Sequence, residues 1–277
     1  MKKVQAKKIH LKHLRCRRSF LLFFTLMGLF TVGACIKKGE HYRPIFSDTP
    51  AIKTSGKPVY IVSTHPLSNQ QRVFEIYQPL IDFINKRIPD AEFRLETALD
   101  YPDYENKLYA GNRYHFSIPN PLQTIEAVKK GHYKIIGKVA EDSVFRGIVL
   151  VKADSPIKTV GDLKGKTVAY PARTALAACL MPQMFFAENG IDVNKDIKNI
   201  FVGTQESAMS AVALDKADVG VTWPPPWKGF QRNFPDVAKK VKILWETPSL
   251  VNNSLVVQNE VPENIIKQVA TFFFELK

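Results

Sequence analysis

From Val59 to its end the chain alternates short apolar runs with segments whose apolar residues recur every three to four positions, a pattern few folds can satisfy. Residues 59–63 read as a buried strand. Val73, Tyr77, Leu80, Ile81, Ile84 and Ile88 then mark one face of a helix. Residues 93–97 form a second strand, and a helix over about 104–110 stops at Gly111, where a left-handed C-cap is least strained. A third strand at 115–118 and a helix at 122–130, closed by Gly131, complete a first series, and strands at 134–139 and 146–151 follow. The second half repeats the alternation. It has a strand at 167–170, a helix at 175–189 interrupted by Pro182 and ended by Gly190, a strand at 200–202, a helix at 206–215 and a strand at 219–223. Pro224-Pro225-Pro226 is expected to hold off helix until Trp227, because proline has no N–H and restrains its predecessor. Strands at 241–245 and 255–258 precede a helix from Glu263. That helix reaches Lys277 without a capping signal, the pattern of a chain whose terminal segment lies beyond it.

Such alternation predicts an α/β protein with mostly parallel sheets and helices on both faces. Its doubling predicts two lobes, residues 57–146 plus 250–277 and residues 147–249. The strands at 146–151 and 251–258 would carry the chain across a hinge.

The first 35 residues are of another kind. Eight basic residues and no acid precede an uncharged run from Ser19 to Ile36, which contains Val32-Gly33-Ala34-Cys35. A basic start, an apolar centre and a small-residue exit make a secretory signal. A cysteine straight after two small residues is the lipobox of bacterial lipoproteins, in which Cys35 carries the lipid. A retained membrane helix is the competing reading. The run is just long enough to span, but Thr25, Gly28, Thr31 and Gly33 weaken it. Arg17-Arg18-Ser19-Phe20-Leu21 fits a twin-arginine export signal, whereas the apolar Leu21-Leu22-Phe23-Phe24 suits the general secretory route. Residues 36–56 are polar, contain Pro44 and Pro50, and read as a flexible tether. The expected location is the cell envelope, periplasmic or extracytoplasmic, with the protein lipid-anchored to the membrane.

The formal charge of +13 falls to +5 once the leader is set aside, with 31 Lys and Arg against 26 Asp and Glu. These charges are mixed along the chain, which argues against a nucleic-acid partner. Cys16 leaves with the leader and Cys35 takes the lipid. Cys179 alone remains, so no disulfide framework or paired-cysteine metal site forms within one chain. His41, His65, His115 and His132 are scattered without metal-ligand spacing. The run from Gly161 to Thr167 mimics a phosphate-binding loop but is one residue short between its glycines and precedes a strand. Cys179 sits at helix-interior spacing beside Leu176 and Leu180, as a core residue would. No enzyme motif stands out, and no cofactor or metal is expected.

Several short motifs, in order, carry a resemblance. They are Thr64-His65-Pro66, Tyr77-Gln78-Pro79-Leu80, Asp100-Tyr101, Asn120-Pro121, the run FRGIVLV at 145–151, the run DLKGKTVA at 162–169, Ala211-Val212 and Ala217-Asp218. In this series the chain, from Val59 onward, resembles the type II periplasmic binding proteins of the phosphate/phosphite/phosphonate-binding (PhnD-like) group. The resemblance implies two α/β lobes with a ligand cleft between them, no catalysis, and delivery of a small molecule to an ABC-type permease. A sensory or scaffold lipoprotein, signalling through a membrane partner with the same fold, is the alternative.

The ligand motif departs from that family. Its Ser-Thr-Ser-Gly helix start holds the oxyanion through hydroxyls and backbone amides, an arrangement helix N-termini favour. The matching positions here are Ala175-Leu176-Ala177-Ala178. Gln205, followed by Glu206, stands where the family has histidine, Asn120 where it has glycine, and Thr124 where it has an aromatic. Phosphonate is therefore not carried over. Trp223, Trp227, Tyr101 and Tyr170 lie at predicted strand ends, where ligands of open α/β sheets bind. They suit a largely apolar ligand anchored by Gln205 or Asn120, although each alone is as readily plain core. Arg173 and Thr174 can clamp an organic anion or stand as solvated loop residues. Thr64 and His65 complete the candidate ligand set. Glu206 belongs to it too, or to an exposed first helical turn.

Overall fold

The structure, a computed structural model, describes residues 56–276. The leader, Cys35 and residues 36–55 of the tether lie outside the described residues. The chain divides after Ile52, and Lys53–Lys277 is one self-contained unit holding every described strand and helix.

Among the described residues ten strands make two five-stranded mixed sheets, accompanied by eight α-helices. The first sheet contains β1 (Val59–Thr64), β2 (Glu92–Leu95), β3 (Phe116–Ile118), β4 (Tyr133–Lys138) and β10 (Ser254–Gln258), in the order β2-β1-β3-β10-β4. The second contains β5 (Ile148–Lys152), β6 (Thr167–Tyr170), β7 (Lys198–Phe201), β8 (Val219–Thr222) and β9 (Val241–Glu246), in the order β7-β6-β8-β5-β9. The two sheets share one plan. In each, a central strand pairs in parallel with two neighbours, and the strand arriving from the other lobe inserts antiparallel beside the third. Both inserted strands, β10 and β5, carry a register shift where they meet the edge strand. Separate apolar clusters fill the faces of each sheet, Ile81, Ile84, Phe93 and Val269 on the first and Val151, Leu163, Val168 and Phe186 on the second.

The helices start where the chemistry of their first turns directs. Asp100 caps α2 (Tyr101–Ala110), which ends at Gly111 with φ +68°. Asn120 forms a reciprocal capping box with Gln123 at the head of α3 (Pro121–Lys129). Three expectations are corrected. Each sheet is mixed rather than mostly parallel, because the strand arriving from the other lobe pairs antiparallel with both of its neighbours. Pro224-Pro225-Pro226 does not delay helix but forms the first turn of α6 (Pro224–Asn233), behind α1 (Gln70–Arg87), α4 (Met181–Glu188) and α5 (Gln205–Ala213) in chain order. First-turn N–H groups have no helical partner in any case, so three residues with restricted φ suit that turn. The helix expected from 175 instead begins as a π-helical turn, Leu176–Leu180, that passes into α4.

Two segments cross between the sheets, and they are tied to each other. Gly147 N–H donates to the Thr247 hydroxyl at 2.8 Å, and Thr247 N–H returns a bond to the Gly147 carbonyl at 2.9 Å. Leu250 N–H bonds the Phe145 carbonyl, and buried Asn252 donates to the carbonyls of Ala140 and Glu141. Arg146 pairs with Glu246 at 2.7 Å. Gly147 has a second duty. A Cβ there would meet the Ala177 carbonyl oxygen at 2.6 Å and Pro182 Cγ at 2.7 Å, so the hinge and the helix start are in contact through this residue.

Two histidines tie β1 to β3. His65 Nδ1–H donates to the Ile118 carbonyl at 3.0 Å, and His115 Nδ1 accepts from the Ile61 N–H at 2.9 Å. Burial holds both rings below the usual imidazole range, His65 at about 4.

Two outcomes follow from this packing. Gly147→Ala should lower the urea midpoint at unchanged m, by about 1–3 kcal/mol of overpacking, since backbone and a proline ring cannot swing aside. Stability should also fall as pH drops from about 6.5 to 4. The unfolded histidines take up protons there while folded His65 stays neutral, so unfolding is favoured by up to about 3 kcal/mol from His65. Denaturant titrations across that range should show a shallower pH slope in His65→Asn.

Candidate functional site

The carboxyl ends of the parallel strands in both sheets meet in one cleft. β1 leads into His65, β3 into Asn120, β6 into Ala175–178, β7 into Gln205 and β8 into Trp223. Tyr101 opens α2 beyond β2, and Phe145 reaches in from the hinge. Among the described residues most buried polar side chains gather along this edge and the hinge, including Thr64, His65, Asn120, Gln205, Thr222 and Asn252.

Across the cleft, side chains of one lobe contact those of the other directly. Thr222 donates to the Gln205 amide oxygen at 3.0 Å, leaving the Gln205 amide N–H groups for the Tyr101 hydroxyl, with which it is hydrogen-bonded. Asn120 Nδ2 donates to the Thr174 carbonyl at 3.3 Å. The Trp223 ring lies 6.4 Å from His65 and 5.5 Å from Phe145, centroid to centroid. The space left between these groups is about 10 Å³. That is at most the room of a single water.

The electrostatics of this cleft are those of a neutral site. No lining residue carries a charge at neutral pH, because His65 is uncharged and its Nδ1 is spent on Ile118. Nε2 is then an acceptor. Burial raises the Tyr101 hydroxyl, keeping it protonated. At the helix start the first N–H groups have no partner within the helix, and Ala175, Leu176, Ala177 and Ala178 place no hydroxyl beside them.

Of the other candidate residues, Thr174 touches the cleft through its carbonyl and Glu206 lines a pocket beside it, whereas Tyr170, Arg173, Trp227 and Thr64 do not line it. Tyr170 is fully buried and stacks on Phe201 at 5.7 Å. The Arg173 guanidinium lies over the Phe201 ring, 4.1 Å from its centroid. Trp227 faces the far side of its sheet, packed on Phe230 with Met209 and Val212. Thr64 is buried with its hydroxyl toward the Ile118 carbonyl at 3.5 Å and bonded to Tyr77. Burial pushes the Cys179 thiol up to about 12, so the protonated, weakly nucleophilic form dominates. Among the described residues no three His, Cys, Asp or Glu side chains converge as metal ligands, and no helix is long and apolar enough to cross a membrane.

A second interlobe pocket, of about 230 Å³, lies outside Gln205. Arg72, Ile76 and Tyr77 of α1 form one wall, and Met209, Phe230 and Arg232 form much of the other. The sequence reading missed these residues. The available signal was Ile76, an apolar residue of α1 off the core-facing stripe and 49 % exposed.

Known proteins share this architecture. The phosphonates-binding periplasmic protein of Escherichia coli (strain K12) is 24 % identical over 223 residues, 77 % of this chain and 64 % of that one. The chain therefore spans a little under two thirds of that relative. PhnD1 from Prochlorococcus marinus (MIT 9301), in complex with methylphosphonate, superimposes with a TM-score of 0.72 at 18 % identity, covering 79 % of this chain and 85 % of that one. A binding protein component of an ABC phosphonate transporter from Pseudomonas aeruginosa gives 0.71 at 19 % identity, over 79 % and 74 %. These two likenesses show the shared two-lobe fold. The family model described as "ABC transporter, phosphonate, periplasmic substrate-binding protein" matches residues 62–277, and the chain belongs to that family.

Proposed function

We propose that this protein is a lipid-anchored, non-catalytic solute-binding protein that serves an ABC permease and does not take phosphonate. Family membership supports the solute-binding role. The leader and the lipobox support an extracytoplasmic domain held to the membrane through Cys35. Rejection of phosphonate rests on one observation. At the helix start where the family holds its oxyanion, this chain has no hydroxyl, no charged side chain and almost no space.

The magnitude of that loss is decisive. A hydrogen bond to a charged group contributes about 1.5–3 kcal/mol. Losing two of three hydroxyl donors weakens an oxyanion complex by about a hundredfold or more, at about 1.4 kcal/mol per decade. Arg173, stacked on Phe201, does not offset this from its present position. The solute in this reading is small and either largely apolar or an organic anion with an apolar body. A solute that entered the inner cleft on opening of the lobes would meet His65, Tyr101, Asn120, Gln205 and Trp223 first.

The test is a thermal-shift titration of residues 53–277 with phosphate, methylphosphonate and 2-aminoethylphosphonate, because any ligand selective for the folded state raises the midpoint. No shift is expected at millimolar concentration. A micromolar response that survives Trp223→Ala would overturn this reading of the cleft.

A further inference from the structure

We propose that the outer interlobe pocket binds a small zwitterion with an apolar body, of the amino-acid type, its carboxylate taken by Arg232 and its ammonium by Glu206. The proposal rests on the solute-binding reading above and gives it a ligand class and a place.

Space is the first argument. At about 230 Å³ the outer pocket is more than twenty times roomier than the inner void of about 10 Å³. Its floor is apolar, formed by Met209 and Phe230, both almost fully buried, and Ile76 closes it from the other lobe. Charge is the second. Arg72 is already paired with Glu75 at 2.9 Å. Among the described residues the side chains of Arg232 and Glu206 make no ion pair or hydrogen bond, with each other or with any neighbour. A lone anion would leave Glu206 facing an apolar body, and a lone cation would leave Arg232 so. A zwitterion satisfies both.

Gly229 is the third. It lies inside α6, where glycine costs about 1 kcal/mol relative to alanine. A Cβ at this position would meet no atom within 4 Å, so packing does not demand the glycine. It lines the pocket, and a side chain there would fill the space a ligand needs. Because the walls come from both lobes, an occupant selects the closed arrangement.

Residues 53–277 should be titrated with L-leucine, 4-methylpentanoate and isoamylamine by calorimetry and tryptophan fluorescence. Leucine should bind at least tenfold more tightly than either analogue. Arg232→Gln should erase its advantage over the amine, and Glu206→Gln its advantage over the acid. Gly229→Leu, which removes a helix glycine and keeps the fold, should abolish binding. Leucine binding no better than its analogues, or surviving Gly229→Leu unchanged, overturns the proposal. So does no binding of leucine at all. Methylphosphonate in the same assay separates the two readings. If it binds while leucine binds as described, the rejection of phosphonate fails and the pocket assignment stands. If both are silent, only the pocket assignment fails.

Discussion

Trp223, set between His65 of one lobe and Phe145 of the hinge, organises the cleft. Its indole occupies the carboxyl end of β8, where an open α/β sheet offers a ligand its strand ends. With the ring there, the lobes close on their own side chains rather than around a solute. The Tyr101–Gln205–Thr222 chain of hydrogen bonds becomes affordable only in this dry setting, since each buried polar group in it finds a partner. Burial of neutral His65 belongs to the same arrangement. A protonated imidazole against an indole and a tyrosine, with Nδ1 already committed, would have no counter-ion.

The hinge explains why closure at this point is transmitted to both sheets. Its two crossing segments are bonded to each other through Gly147 and Thr247, and each continues into a strand inserted antiparallel in the receiving sheet. Gly147 also abuts the Ala177 carbonyl. The hinge backbone therefore packs directly against the helix start, with no room for a side chain between them.

Much of this was legible in the sequence, for identifiable reasons. Strand and helix alternation reflects local periodicity, which a single chain carries in full. His65, Tyr101, Asn120, Gln205 and Trp223 follow strands, so their arrival at one edge could be read from their positions alone. The orientation of a residue within its helix was not legible in the same way. Trp227 follows Trp223 by four residues, yet α6 turns it toward Phe230 and the opposite face. Tyr170 ends a strand as Trp223 nearly does, but Phe201 on the neighbouring strand β7 captures its ring. The triple proline misled because its meaning depends on where a helix begins. It breaks an interior and suits a first turn. The outer pocket escaped because its walls come from α1, α5 and α6, which no sequence spacing brings together.

Direct contact between the lobes changes what a ligand has to accomplish. In a binding protein whose lobes meet only across a solute, closure and binding are one event, and the solute supplies the bridging free energy. Here Asn120 to Thr174, Tyr101 to Gln205 and His65 against Trp223 supply bridging contacts without one. A solute entering the inner cleft must first replace those contacts, and its net affinity is reduced by their worth. A solute in the outer pocket replaces nothing. It adds contacts to both lobes while the inner set stays intact, with Gln205 as the wall common to both spaces. Since a ligand shifts an equilibrium only by its differential affinity for the two states, a solute in the outer pocket would favour closure by the worth of the contacts it adds, and one in the inner cleft by that worth less the contacts it displaces.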